Sequence, residues 1–199
     1  MGWKQLSTGD LCRKHIQEQT EIGKEIDFAI KSGKLVSDEL ITQMVVSWFK
    51  QQDHSAPVIF DGFPRTVAQA QALESLIEQS NASLKLHVVV LDLNDEIIIK
   101  RLGNRFICQN KSCQAVYSLA DKALSPKNYM VCDECEAPID RRKDDEPEAV
   151  KERLKIYHAH MSALLKFYDQ TGKEIYRIPV DKSLDQVFNM FKGVAQGFA

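Results

Sequence analysis

Two cysteine pairs, Cys108-x4-Cys113 and Cys132-x2-Cys135, stand eighteen residues apart in a stretch where the other regular signals of the chain stop. Up to residue 103 and again from residue 146, apolar runs alternate with helical stripes. Between residues 104 and 145, cysteine, proline and short polar turns take over. A loop-rich insert of that size cannot fold on apolar burial alone. The pattern therefore predicts an α/β frame interrupted by a small insert held together at its cysteines.

The frame is long enough for one domain: 199 residues, 44% hydrophobic and 27% charged, exclude a disordered or collagen-like chain. A net charge of −2 gives no electrostatic case for nucleic-acid or membrane binding. No apolar run approaches the ~20 residues of a bilayer span, and the first residues show no signal-peptide core. A cytoplasmic location is the expectation. In that compartment the five cysteines are thiols, and pairs of them read as metal ligands before disulfides.

Residues 6–10, Leu-Ser-Thr-Gly-Asp, read as a strand end turning into a helix over 11–18 capped by Asp10. Gly23 and Gly33 are expected to break the next thirty residues into small helical pieces. Ser37 caps a helix whose Leu40, Ile41, Met44, Val45, Trp48 and Phe49 form a core stripe. Strands are expected over 56–61, 84–93 and 175–180. Thr66 and Gln69 have the form of a capping box, and Asn94 caps a brief helix through Arg101. Pro147 opens a long helix, and a last amphipathic helix carries Leu184, Val187, Phe188, Phe191 and Val194.

Chemistry concentrates in three places. Asp61-Gly62-Phe63-Pro64-Arg65-Thr66 follows a strand, and in open α/β sheets ligands gather at strand carboxyl ends, so Asp61 and Arg65 are placed for a charged ligand. The four cysteines have the spacing of a tetrahedral thiolate zinc site with no open position, hence structural; the paired spacing tells against the alternative of four unrelated buried thiols. Arg13, Arg65, Arg101, Arg105, Arg142 and Arg153 lie beside turns or helix ends. Converging arginine forks would hold phosphate oxygens, whereas each alone is an ordinary surface cation. Asp144-Asp145 reads most simply as favourable charge at a helix N-terminus, and Cys12 as a packed thiol.

In their order these motifs resemble the adenylate kinases, from about Leu6 to near the C-terminus, and the four cysteines place the chain with the long, zinc-lid members. The resemblance implies a P-loop-kinase-like parallel sheet flanked by helices, with an inserted zinc-ribbon lid. It divides the chain into an AMP-binding segment (7–36), a core (37–103 and 146–199) and a lid (104–145). It implies transfer from MgATP to AMP giving two ADP, with Mg²⁺ arriving with ATP and a structural Zn²⁺ on Cys108, Cys113, Cys132 and Cys135. Thr8, Arg13, Lys34, Leu35, Val36, Gly62, Phe63, Pro64, Arg65 and Gln69, with Arg142 and Arg153, would hold AMP. Arg101 and Arg105, with Val116, Tyr117 and, more loosely, Lys182, would hold ATP. Arg101, Arg105, Arg142 and Arg153 would surround the transferring phosphate, and Asp10 and Asp61 would organise the Mg²⁺. The partners implied are ATP, AMP and ADP, with no nucleic acid or membrane, and a monomer. Another nucleoside monophosphate kinase, or a non-catalytic AMP-binding or zinc-ribbon remnant, is the alternative.

Three departures stand out. The first cysteine pair is two residues longer than the family's usual knuckle, and Phe106 stands where many members carry a second arginine. No Gly-x-x-x-x-Gly-Lys-[Ser/Thr] occurs in the 199 residues, so the cradle of backbone N–H groups for the ATP phosphates is wanting. The family's first strand, central in its sheet, would be absent too, as in an N-terminally truncated chain. Residues 1–199 by themselves are therefore expected to convert ATP and AMP to ADP slowly and to be of low stability. A coupled assay of the purified chain checks this, and turnover at ordinary kinase rates would overturn it.

Overall fold

The computed structural model describes residues 2–31, 36–80, 84–142 and 145–198. The chain forms two compact units, Met1–Leu86 with His160–Lys173, and His87–Ala159 with Glu174–Ala199.

In the first unit, β1 (Lys4–Ser7) and β2 (Val58–Asp61) pair in parallel with Leu6 opposite Phe60 and Ser7 opposite Asp61. Helix α1 (Thr8–Gln17) starts directly at the strand end, and its cap is Ser7, whose Oγ accepts the Asp10 N–H at 3.4 Å. The helix thus begins three residues before the start expected at Leu11. Both Ser7 and Asp10 are good caps locally. The choice is made at a distance, because Thr8 is buried against the turn after β2.

Helix α2 (Glu21–Lys31) runs unbroken through Gly23. The expected break is not there, and the reason is packing. A Cβ at Gly23 would lie 2.0 Å from the His15 carbonyl oxygen, so the glycine lets α2 close against the end of α1. Thr20 completes the corner, with its Oγ1 accepting the Gly23 N–H (3.0 Å) and 2.9 Å from His15 Nδ1. Gly33, expected as a second break, lies outside the described residues.

Helix α3 (Asp38–Lys50) has the Ser37 cap and buries Met44, Val45 and Phe49 as its stripe requires. With α4 (Val67–Gln79), capped by Thr66, it covers a core of Leu6, Val45, Phe63 and Leu73, against which Trp48, Phe60 and Leu86 pack. Phe60 meets the Trp48 ring edge-on at 6.4 Å and the Phe63 ring at 6.2 Å. These aromatics floor the turn that leaves β2 and hold it in one position.

In the second unit, β3 (Val88–Asp92) and β7 (Ile175–Pro179) pair in parallel, Val88 opposite Ile175. The strand expected over 84–93 is shorter because pairing begins only at Val88. Among the described residues β2 pairs only with β1, and β3 only with β7. Helix α5 (Asp95–Gly103) carries the expected Asn94 cap. After it, β4 (Arg105–Cys108), β5 (Val116–Ser118) and β6 (Ile139–Arg141) form a separate antiparallel sheet in the order β5-β4-β6. Helix α6 (Pro147–Gln170) is the long helix expected from its periodicity, and α7 (Leu184–Gln196) has a full capping box between Ser183 and Gln186. Leu184 and Phe188 of its apolar stripe remain exposed. No described helix is long and apolar enough to cross a membrane.

Gly23 and Gly193 should respond oppositely to alanine. Gly193 lies in α7 with nothing within 4 Å of an added Cβ, so Gly193→Ala should stabilise by about 0.5–1 kcal/mol. Gly23→Ala must push α1 and α2 apart and should cost about 2–3 kcal/mol. Denaturant midpoints of the two variants measure both.

Candidate functional site

The turn after β2 is built around one glycine. Gly62 has φ +74°, and a Cβ there would meet Arg65 Nη2 at 2.8 Å and Thr8 Oγ1 at 3.0 Å. The Gly62 carbonyl accepts from Arg65 Nε–H (2.8 Å) and from the Thr8 hydroxyl (3.1 Å). Arg65, an exposed residue, is thereby bent back over the turn with its Nη2 beside Gly62. Gln69, only 4% exposed, accepts the Arg65 backbone N–H at Oε1 (2.8 Å) and donates Nε2–H to Asp38 Oδ1 (2.7 Å). Asp38 takes the Thr66 hydroxyl at its other oxygen (2.6 Å). Thr66 does cap α4, but the Gln69 side chain serves Arg65 and Asp38, so the capping box is only half made.

Asp10 and Arg13 lie on α1 as an ion pair, Asp61 ends β2 beside Gln5 Nε2 (3.3 Å), and Val36 precedes α3. Phe63 is buried beneath the turn, joined to Pro64 by a cis peptide. Lys34 and Leu35 fall outside the described residues. Burial pushes the Cys12 thiol up, with the Arg13 and Arg65 charges pulling it back in part; this suits a packed thiol.

The second unit holds a cluster of opposite charge around one carboxylate. The Asp145 side chain is fully buried, and Arg105 grips it with two parallel bonds, Nε–Oδ2 2.8 Å and Nη2–Oδ1 2.6 Å. Arg153 Nη1 stands 3.8 Å from the same Oδ1, and the Asp145 N–H donates to the Arg142 carbonyl (3.1 Å). Asp145 is thus no helix-end charge in water. It fixes Arg105, stands within ion-pair distance of Arg153 and is tied to Arg142 through the backbone. Arg101 is exposed on α5, and Lys182 lies 4.0 Å from Asp181. Asp144 is outside the described residues.

The four cysteines come together in the small sheet. Their sulfurs all lie within 4.8 Å of one another, with Cys108–Cys135 at 3.4 Å and Cys113–Cys132 at 3.7 Å, and none is in a disulfide. Ligands at about 2.3 Å from a tetrahedral zinc stand about 3.8 Å apart, so the donor set fits that ion. Among the described residues this is the one such group. Gln114 and Glu136, each directly after the second cysteine of its pair, take φ of 51° and 60°. That turns both loops back toward the sulfurs. The longer first loop is organised by Asn110, whose carbonyl accepts from Cys113 and Gln114 and whose N–H points to Cys108 Sγ at 3.4 Å. Burial pushes the Cys108 thiol up to about 12. Cys132 is pulled down to about 6, chiefly by its hydrogen bond with Tyr117. Without a cation the cluster cannot hold four negative charges.

Phe106 is buried among these residues with the Arg141 guanidinium 5.3 Å above its ring. Adjacent strand residues face opposite sides, so Val116 is 55% exposed while Tyr117 is 7% exposed. Asp38, Asn110 and Asp145 are the residues that sequence reasoning missed. Asp38 has no local signal, because its partners are 28 and 31 residues away.

The adenylate kinase family model matches residues 1–173. The chain is 35% identical to the adenylate kinase of Kosmotoga olearia over 184 residues, 92% of this chain and 82% of that protein. It is 37% identical to that of Allorhizobium ampelinum over 197 residues, 98% and 88% of the two. To that of Methanosarcina barkeri it is 34% identical over 198 residues, 100% and 89%.

Asp38→Ala would leave the Thr66 hydroxyl and one Gln69 amide hydrogen without their partner. The loss of two charge-assisted bonds should cost about 2–3 kcal/mol, read as a lowered midpoint in chemical denaturation.

Proposed function

The chain belongs to the adenylate kinase family and is a nucleoside monophosphate kinase, and we propose that it divides the work between the two residue groups described above. The first unit binds AMP. Thr8, Arg13, Lys34, Leu35, Val36, Gly62, Phe63, Pro64, Arg65 and Gln69 form that subsite, and Arg65 and Arg13 neutralise the phosphate. The observation that carries this reading is the Gly62 turn, which spends Arg65 Nε on its own backbone and so presents the remaining nitrogens of the guanidinium in a set orientation.

The second unit supplies charge for the transfer. Arg101, Arg105, Arg142 and Arg153 are its cations for the transferring phosphoryl group, and Val116 and Lys182 serve ATP. The group in flight carries its negative charge on peripheral oxygens, and cations already oriented by Asp145 need little rearrangement to meet it. Asp10 and Asp61 hold waters of the Mg²⁺ that arrives with ATP. No covalent enzyme intermediate is needed.

Residues 104–145 are a lid folded on zinc, with Cys108, Cys113, Cys132 and Cys135 as ligands; the supporting facts are the sulfur distances and the two turned-back loops. The ion would supply folding free energy to a sheet with a small core and take no part in the reaction.

Calorimetric titration of the chain with AMP, CMP, UMP and GMP tests the substrate assignment; AMP should bind most tightly, and equal binding of all four would overturn it. Arg65→Ala should weaken AMP about 10–100-fold. For the metal, stripping zinc with a chelator should expose four additional fast-reacting thiols to Ellman's reagent, one for each clustered cysteine, and re-addition of zinc should hide them.

A further inference from the structure

We propose that Tyr117 is a positioning residue of the four-cysteine metal site, its hydroxyl proton committed to the Cys132 sulfur, and that its side chain makes no contact with the nucleotide. The inference rests on the reading of that cluster as a zinc site.

The direction of the hydrogen bond follows from counting protons. The phenol oxygen lies 3.3 Å from Cys132 Sγ and 2.7 Å from the Asp133 backbone nitrogen. A backbone N–H can only donate, so it occupies a lone pair of the phenol oxygen. A metal-bound thiolate carries no proton to give, so in that state the single hydroxyl hydrogen is the one between the phenol oxygen and Cys132 Sγ. A phenol that gives its one proton to a ligating thiolate draws charge from that sulfur and fixes its orientation.

The surroundings hold the phenol in place. The Tyr117 ring is enclosed by Phe106, Cys108, Cys132 and Ile139. Its backbone is fixed in β5 opposite Phe106 of β4. The Asp133 N–H belongs to the same cysteine loop as Cys132 and Cys135, so the hydroxyl ties the β5 strand to the second loop at two points. The loop between Cys108 and Cys113 has Asn110 for this purpose; the loop between Cys132 and Cys135 has Tyr117. An ATP base could lie on Val116, which faces the other side of the strand.

The test compares wild type, Tyr117→Phe and Ile139→Val, loaded with Zn²⁺ or Co²⁺. Ile139→Val trims the same apolar cluster without touching a sulfur. For Tyr117→Phe the expected result is a loss of about 10-fold in zinc affinity by chelator competition. Its thiolate-to-cobalt charge-transfer band should move to lower energy, because the sulfur regains charge, while Ile139→Val keeps the wild-type band. Should Tyr117→Phe take up no metal, ¹¹³Cd-loaded wild type supplies the readout. A coupling between ¹¹³Cd and the Tyr117 hydroxyl proton supports the proposal, and its absence overturns it.

A Tyr117→Phe band and affinity equal to wild type, or a shift equal to that of Ile139→Val, would reduce Tyr117 to a core residue. Failure of wild type itself to give a tetrathiolate cobalt spectrum would remove the metal reading, and this one with it.

Discussion

The first unit depends on the space at residue 62, which admits a hydrogen and nothing larger. Arg65 and Thr8 both close on the Gly62 carbonyl from directions that a side chain would block. Through Thr8 the turn fixes where α1 begins, and through Arg65 it fixes Gln69, Asp38 and the start of α3. The aromatic floor of Phe60, Phe63 and Trp48 holds the turn from below. The turn is thus held by neutral and anionic protein groups.

Asp145 plays a comparable part in the second unit with the opposite chemistry. A fully buried carboxylate is costly unless paired and hydrogen-bonded, and here Arg105 meets both requirements. The consequence for Arg105 is a guanidinium with little freedom left. Catalysis by positioned charge requires that the cations be oriented before the charge develops. A carboxylate so placed orients the guanidinium and offsets part of its positive field.

Local patterns in the sequence were enough for the strand ending at Asp61, the stripe of α3, the length of α6 and the grouping of the cysteines. Each of these is a matter of period or spacing. What stayed hidden was decided by distant partners. Ser7 and Asp10 are equal as caps until Thr8 meets a turn more than fifty residues away. Gly23 looks like punctuation until His15 is seen against it. Asp145 reads as a helix-end charge until Arg105, forty residues earlier, is found gripping it. The resemblance gave Val116 and Tyr117 the same role, yet strand alternation sends their side chains in opposite directions, Val116 exposed and Tyr117 buried.

The contact between Gly23 and His15 also has a kinetic meaning. Two helices that touch backbone to backbone, with Thr20 joining them at the corner, have no side-chain layer between them to shear. Relative sliding of α1 and α2 would need the corner to open, breaking hydrogen bonds along with the contact. Any motion of the pair on the microsecond-to-millisecond scale is therefore that of one stiff lever.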